Sequence, residues 1–287
     1  MAAEANLTRT LTKAQNIDFV NQFGKGIAQL TELMGVTRLM PMAVGTLIKT
    51  YKSSVTLDGT AVAPGDVIPL SEVKLEEDAS YELVFDKKRK AVPAEDIQKY
   101  GFEKAITLTD EKLIREQQSD IRNSFFEQLA TGKGTATGAG LQAALAQGFA
   151  KVVTAFEDDI AQTIAFINPE DLAAYQASHV VTLESAFGLQ YLKNFLGYDI
   201  VIVSSKVAKG KAYATVTNNL VFAYASINGE IDKAFDFVAD GKTPMLGVAH
   251  DINYSRLTAE TITLSATKLF AEMTGGVVVI NITAVGA

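Results

Sequence analysis

The chain has 287 residues, of which 48% are hydrophobic and 21% charged, and its formal net charge at pH 7 is −7. This composition predicts a folded protein with a substantial core, and its interspersed charges lack the basic stripe of a dedicated nucleic-acid-binding surface. There is no apolar run near the roughly 18 residues of a membrane span, no signal-peptide core and no cysteine. These features favour production in a cytoplasm.

The first 44 residues are predicted to form an arm. Residues 16–34 carry apolar side chains at helical spacing, although Gly24 and Gly26 weaken the helix. Two interpretations stay open. The segment is either a helix of the chain's own core, or an amphipathic arm that docks on a neighbouring subunit through Phe19 and Phe23.

Residues 45–93 are predicted to form a long β-excursion, with turn signals at Asp58-Gly59 and Pro64-Gly65 between two alternating strands. A two-stranded ribbon alone is marginally stable in water, so it must lie on its own body or on a neighbour. Its return strand carries a basic run, which is either a solvated face or a salt-bridging contact to an acidic neighbour. The candidate inter-subunit residues of this excursion are Lys52, Asp58, Lys87, Lys88, Arg89 and Lys90.

The chain is organised around a long amphipathic helix predicted from Thr109 to Thr131. Its apolar residues recur at spacings of three, four and seven along one side; they are Leu113, Ile114, Ile121, Phe125, Phe126 and Leu129. Thr109 is the predicted N-cap, with Asp110 in the first turn, and Gly132 and Gly134 are the C-terminal stop. A helix of this kind is a structural spine, and no residue on it indicates catalysis.

The block after the spine alternates helix and strand and predicts a small α/β domain. It opens with GKGTATGAG, residues 132–140, which is a flexible linker by composition. A strand is predicted at Thr163–Ile167, followed by a helix with Asn168 as its cap and Pro169 as its first residue. The segment FLGYDIVIVSS predicts a strand buried on both faces. From Thr243 onward the sequence predicts a strand, a turn at Gly275-Gly276 and a second strand. This closing segment is expected to return to a sheet formed by earlier parts of the chain.

The glycine-rich segment Gly132–Gly140 does not match a phosphate-binding loop. Such a loop needs a preceding strand and a Gly-Lys-Ser/Thr order, whereas here a helix precedes it and Lys133 is followed by Gly134. A soluble nucleotide- or phosphate-using enzyme with this loop stays as an alternative.

The histidines and acids give no clearer sign of chemistry. His250-Asp251 could form a base and its orienter, but no nucleophile motif accompanies it, and His179 is far away in sequence. The acidic groups at 76–78 and 157–159 lack the spacing of a calcium loop and are interpreted as solvated acids. We therefore predict no catalytic residue, no metal site, no cofactor, and no enzyme.

Three segments resemble parts of a known protein family. The spine helix of that family resembles the segment DEKLIREQQSDIRNSFFEQLATG. A strand and helix of its axial domain resemble IAFINPEDLAAY, and its closing segment resembles GVAHDINYSRLTAETITLSATKLFAEMTGGVVVINI. The family is the major capsid proteins of tailed bacteriophages with the Hong Kong 97-type fold. The resemblance implies an α+β fold of five parts: an N-terminal arm (1–44), an extended β-loop (45–93), a spine-helix part of a peripheral domain (94–134), an axial α/β domain (135–242) and a return to the peripheral sheet (243–287).

This resemblance implies a structural head protein that self-assembles into hexamers and pentamers of an icosahedral shell. The shell would enclose phage double-stranded DNA without sequence-specific binding, and would assemble in the bacterial host cytoplasm. Implied partners are further copies of the chain, a portal and a possible decoration protein. Only about 44 residues precede the β-loop, which is too short for a built-in scaffold, so the resemblance implies either a separate scaffolding protein or none. A bacterial nanocompartment shell of the same fold is the alternative.

The resemblance also bears on particular residues. Gly132, Gly134 and Gly138 are the predicted hinge between the two domains for a shape change on shell expansion. Some family members crosslink subunits through a lysine and an asparagine, but no specific pair can be matched here. The candidate lysines are Lys49, Lys52, Lys74, Lys87 and Lys88.

Overall fold

The computed structural model describes residues 7–36, 38–56, 58, 70–157, 162–186, 189–227, 230–239 and 245–284. The helices are α1 (Leu7–Leu33), α2 (Ala94–Tyr100), α3 (Phe102–Leu129), α4 (Gly140–Ala155), α5 (Pro169–Gln176) and α6 (Glu230–Phe235). The strands are β1 (Arg38–Met42), β2 (Leu47–Thr56), β3 (Glu72–Glu82), β4 (Asp86–Pro93), β5 (Gly134–Ala139), β6 (Thr163–Ile167), β7 (Glu184–Ala186), β8 (Leu189–Phe195), β9 (Tyr198–Val203), β10 (Lys211–Val216), β11 (Leu220–Ala225), β12 (Val238–Ala239), β13 (Leu246–Asn253), β14 (Thr258–Ser265), β15 (Thr267–Ala271) and β16 (Val278–Thr283). Within these ranges no helix has the length and apolarity that crossing a bilayer demands.

In the described residues the strands form four sheets. A seven-stranded sheet has the order β5-β16-β10-β6-β9-β8-β7, and a four-stranded sheet has the order β12-β13-β14-β4. A three-stranded sheet has the order β1-β11-β15, and β2 and β3 form a separate two-stranded ribbon. The pairs β5-β16, β6-β9 and β1-β11 are parallel and the other pairs are antiparallel. The mixture of helices with largely antiparallel sheets confirms the predicted α+β class.

The seven-stranded sheet separates two cores. In β6, Ile164 and Phe166 face the core shared with α1 and α3, whereas Ala165 and Ile167 face the core under α4. This alternation follows from the two-residue repeat of a strand and buries β6 on both faces. The predicted cap of α5 is confirmed, since the side-chain oxygen of Asn168 accepts a hydrogen bond from the backbone N–H of Glu170 at 2.8 Å.

The spine helix α3 begins at Phe102, so the predicted start at Thr109 is wrong. Gly101, with φ of 83°, separates α2 from α3, and Thr109 lies within α3. Its hydroxyl donates to the backbone oxygen of Ala105 at 2.7 Å instead of capping the helix. The predicted apolar side is confirmed: four of its residues are buried and Leu113 and Ile121 pack against the same core.

The N-terminal helix α1 packs on the body of its own chain, which is the first of the two interpretations of this segment. Phe19 is 3% exposed and Phe23 is 1% exposed, both in the core shared with α3. Neither side chain is available to a neighbour in this arrangement, so we do not retain them as assembly contacts. Gly26 lies against α3, where a Cβ would meet the flexible end of the Gln118 side chain, 2.1 Å from its Nε2.

The predicted return strand of the β-excursion is two strands. β3 pairs with β2, whereas β4 pairs with β14 in the four-stranded sheet. Leu83, which is 1% exposed, packs on Ala225 and Ala266 and brings the chain into the body between the two strands. The placement of the basic run on the ribbon is therefore wrong, because residues 87–90 lie in β4.

The segment predicted as a flexible linker is an ordered strand. β5 runs parallel to the closing strand β16, with Gly134 opposite Val278 and Gly138 opposite Ile282. The predicted return of residues 243–287 to the sheet beside the spine is divided in the structure. β13 and β14 lie beside β4, β15 lies in the three-stranded sheet, and β16 lies in the seven-stranded sheet.

Candidate assembly contacts and the domain junction

The basic run of β4 binds acids of its own subunit. Lys90 Nζ lies 2.6 Å from Oδ1 of Asp110 on α3, and Lys88 pairs with Asp120 of the same helix. On the opposite side of the strand, Arg89 makes two hydrogen bonds with the carboxylate of Glu260 in β14, at 2.8 and 2.6 Å. The alternation of a strand thus directs Lys88 and Lys90 to the spine and Arg89 across the sheet.

Two members of the basic run are exposed: Arg89, which pairs with Glu260, and Lys87. The Lys87 ammonium lies 6.0 Å from the ring centroid of Phe85, a neighbour in sequence. Because the other three cations are committed to intrachain ion pairs, an assembly contact through the run stays a prediction for Lys87 alone.

Asp110 is the centre of a buried polar cluster between α3 and the four-stranded sheet. Besides Lys90, it accepts a hydrogen bond from the hydroxyl of Thr261 at 3.1 Å, and its Oδ2 lies 3.2 Å from Nε2 of His250. Burial alone would raise the pKa of Asp110, but its hydrogen bonds with His250 and Lys90 and their charges hold that pKa below the ordinary value. Burial lowers the pKa of Lys90, and Asp110 offsets part of this effect.

The cluster replaces the proposed pairing of His250 with Asp251. His250 is oriented by Asp110, whereas the Asp251 carboxylate is exposed and accepts from the backbone N–H of Ile252. His179 lies elsewhere, at the end of α5, where its ring stacks on Tyr175 with centroids 4.2 Å apart. The two histidines are therefore not brought together. The Ser178 hydroxyl lies 2.9 Å from Nδ1 of His179, an exposed contact between neighbours in sequence.

The outer ribbon carries both charge and exposed apolar surface. Lys49 pairs with Glu77 at 2.8 Å and Lys74 with Glu72 at 3.3 Å, in each case within the ribbon. Lys52 lies opposite Glu76 in the register, and its side chain is outside the described part of the chain. Asp58 is exposed, and its backbone N–H donates to the Ser71 hydroxyl at 3.3 Å. Tyr51, Leu70 and Val73 are apolar and exposed on the same excursion.

The base of the ribbon is fixed to the body at two points of β3. The Tyr81 hydroxyl accepts a hydrogen bond from Nε2 of Gln128 at 2.8 Å, and its ring lies 4.9 Å from that of Phe270. Asp78 reaches further, to Thr274 and Lys133. The prediction that the acids at 76–78 are solvated is thus wrong for Asp78, because its side chain is only 3% exposed.

The glycines of the predicted hinge are closely packed. A Cβ on Gly132 would lie 2.6 Å from the backbone oxygen of Val277, and one on Gly138 would lie 2.3 Å from the backbone nitrogen of Ala144. The N–H of Gly134 donates to the same Val277 oxygen at 3.0 Å. Glycine is needed here for close approach and not for flexibility. β5 also leads directly into α4. The segment therefore contains no open loop of the kind that the phosphate-binding alternative requires.

Within the residues that the structure describes, no group of three or more acids or histidines could hold a metal ion. The described acids of the two acidic groups make different contacts. Glu77 pairs with Lys49, Asp78 pairs with Lys133, and Glu157 is exposed. Asp158 and Asp159 lie outside the described residues.

Sequence comparison gives no relative, since no family model and no curated protein matches the chain. Comparison with solved structures finds proteins of similar fold. The SrpI encapsulin of Synechococcus elongatus superposes with a TM-score of 0.55 at 15% identity, over 90% of this chain and 90% of the encapsulin. The capsid of a native GTA particle gives a TM-score of 0.59 at 10% identity, over 88% and 90% of the two chains. A virus-like particle from Pyrococcus furiosus gives 0.52 at 10% identity, over 92% and 98%.

These structures define the class of fold, which is that of capsid-type shell subunits. The particular fold is the Hong Kong 97 type that the three sequence segments predict. The prediction of the fold family is confirmed.

Proposed function

We propose that this protein is a shell-forming subunit, the major capsid protein of a tailed bacteriophage. The observation that carries the proposal is the superposition of nearly the whole chain on the subunits of a virus-like particle and of a GTA capsid. We assign the protein no enzymatic role.

The exposed surface supports an assembly of many copies. The ribbon presents Tyr51 and Val73 at 58% and 62% exposure, and a two-stranded ribbon is marginally stable where it packs on nothing else. A second group of exposed apolar side chains, Tyr100, Phe102 and Leu108, lies where α2 meets α3. Apolar side chains on two separate elements suit contacts with different neighbours, and further copies of the chain in hexamers and pentamers would supply both.

The choice between a phage head and a nanocompartment depends on what the shell contains. A net charge of −7 suits a container that must not bind its DNA tightly. An encapsulin is among the similar structures, so a cargo-holding nanocompartment is the second candidate. For the phage head we propose a separate scaffolding protein, a portal and a possible decoration protein as partners, with assembly in the host cytoplasm. Portal and terminase genes beside this one would favour the phage, and a cargo-enzyme gene the nanocompartment.

The experiment is expression of the full chain, followed by negative-stain electron microscopy and light scattering, alone and with its neighbouring genes. We expect closed shells, or tubes and sheets of hexamers. Tyr51→Ser should reduce assembly, whereas Tyr51→Phe, which keeps the ring, should assemble like the natural chain. A monomer or dimer under both conditions would contradict the proposal. Protection of double-stranded DNA from nuclease inside the particles would separate a phage head from a nanocompartment.

A further inference from the structure

Asp78 connects the ribbon to two other parts of the chain. Its Oδ2 accepts hydrogen bonds from the backbone N–H of Thr274 at 3.1 Å and from the Thr274 hydroxyl at 2.6 Å. Its Oδ1 pairs with the ammonium of Lys133. A carboxylate that accepts three bonds, one of them from a cation, is firmly positioned. Asp78 is therefore joined to Lys133, 55 residues away in the chain, and to Thr274, 196 residues away.

A β-bulge directs Asp78 towards the body. Thr50 lies opposite Ala79 and Tyr51 lies opposite Glu77, so Asp78 is an extra residue with no partner in β2. Bulges of this kind change the direction in which side chains point. Here the bulge lets Asp78 and Tyr81, three residues apart on β3, both contact the body, although side chains at an odd spacing on a regular strand lie on opposite faces.

The two partners of Asp78 belong to the junction between the spine and the seven-stranded sheet. Lys133 lies between the end of α3 and the start of β5, and Thr274 opens the short 3-10 turn between β15 and β16. They also bind each other, since the N–H of Lys133 donates to the Thr274 oxygen at 3.1 Å. Thr274 is 4% exposed, so Asp78 inserts into a packed site and does not rest on a surface. The ribbon base, the end of the spine and the closing turn thus meet at one carboxylate.

We propose that Asp78 is a latch that fixes the ribbon to this junction, so that the ribbon and the junction open and shift as one unit. The latch is a property of the single subunit. Its use in a shell, where a change in the junction would move the ribbon against a neighbour, rests on the proposed function. A purely local contact would make a different prediction, because its loss would loosen the ribbon base and leave the junction unchanged.

Hydrogen exchange on the unassembled subunit separates these cases. In Asp78→Ala we expect about tenfold faster exchange both in the ribbon base and at the junction amides of Lys133, Gly134 and Val277, since bonds to a charged group are lost. Glu77→Ala is the matched control. Glu77 is the adjacent acid and, among the described side chains, pairs with Lys49 inside the ribbon, so its loss should leave the junction amides unchanged.

Faster exchange confined to the ribbon base, or no change at all, would overturn the latch. If Asp78→Ala does not fold, Thr274→Val gives the same test, because it removes one hydroxyl and keeps the shape. Failure of the two proposals is distinguishable. A natural chain that forms no shells contradicts the proposed function and leaves the exchange result standing, whereas unchanged junction amides contradict the latch whether or not shells form.

Discussion

The ammonium of Lys90 lies 2.6 Å from the carboxylate of Asp110, and both side chains are largely buried where β4 crosses the spine helix. The pair joins two segments that the sequence separates by the whole of α2. Lys90 also donates to the backbone oxygen of Ile106 at 3.0 Å and to the hydroxyl of Thr109 at 2.5 Å. Its three donors are therefore used on the spine, and it has none to offer a neighbouring subunit.

Replacing Asp110 by Asn should destabilise the subunit by about 3 kcal/mol, because it leaves the buried Lys90 ammonium without its counter-charge. Urea unfolding of the unassembled chain at neutral pH measures this change. Asp251→Asn is the control, since Asp251 is the exposed acid next to His250, and it should change the free energy of unfolding little. Equal effects of the two variants would show that the cluster contributes no more than a surface charge.

The contribution of Asp110 should disappear in acid. The folded state holds its pKa below the ordinary value of 3.8, so the unfolded chain binds more protons as the pH falls. The stability that Asp110 provides is therefore fully present above 3.8 and is lost as the pH falls through the folded-state pKa. We expect the difference in unfolding free energy between the natural chain and Asp110→Asn to hold at higher pH and to shrink once the pH falls below 3.8. A difference that stays constant as the pH falls well below 3.8 would contradict the assignment.

Local patterns in the sequence were sufficient to predict the elements that depend on local order. The apolar side of α3, the strand Thr163–Ile167 and the Asn168 cap follow from periodicity and from capping chemistry within a few residues. The fold family followed from the order of these elements together with the resemblance of three segments. The start of α3 was missed because Gly101 breaks the helix before it, and because Thr109 has the composition of a cap but bonds backward within the helix.

The polar contacts of the candidate sites could not be predicted in this way. The partners of Asp78 and Asp110 lie on elements that are distant in the sequence. The bulge that redirects Asp78 also gives no recognisable pattern in the alternation of the strand. The glycines at 132–140 misled for a related reason. Glycine serves flexible linkers and close packing equally, and only the neighbouring β16 and α4 decide between them.

Phe23 should be a residue of the subunit core and not of an interface. Phe23→Ala should lower the free energy of unfolding by about 3–5 kcal/mol before any assembly, because it leaves a cavity between α1 and α3. Phe235→Ala is the matched control, since Phe235 is 66% exposed and its truncation leaves no cavity. The measurement is thermal or urea unfolding of the unassembled chain. A Phe23→Ala subunit of normal stability that fails only in assembly would restore the docking-arm interpretation.

Gly138 distinguishes a packed junction from a flexible linker. A Cβ at this position would lie 2.3 Å from the Ala144 nitrogen, which is backbone and cannot move aside without shifting α4. Gly138→Ala should therefore destabilise the subunit by about 1–3 kcal/mol through overpacking. Gly275→Ala is the control, because nothing lies within 4 Å of a Cβ there. In a flexible linker, alanine would restrict the unfolded chain and cost nothing in the folded one, so a stability for Gly138→Ala equal to or above that of Gly275→Ala would return these residues to the role of a hinge.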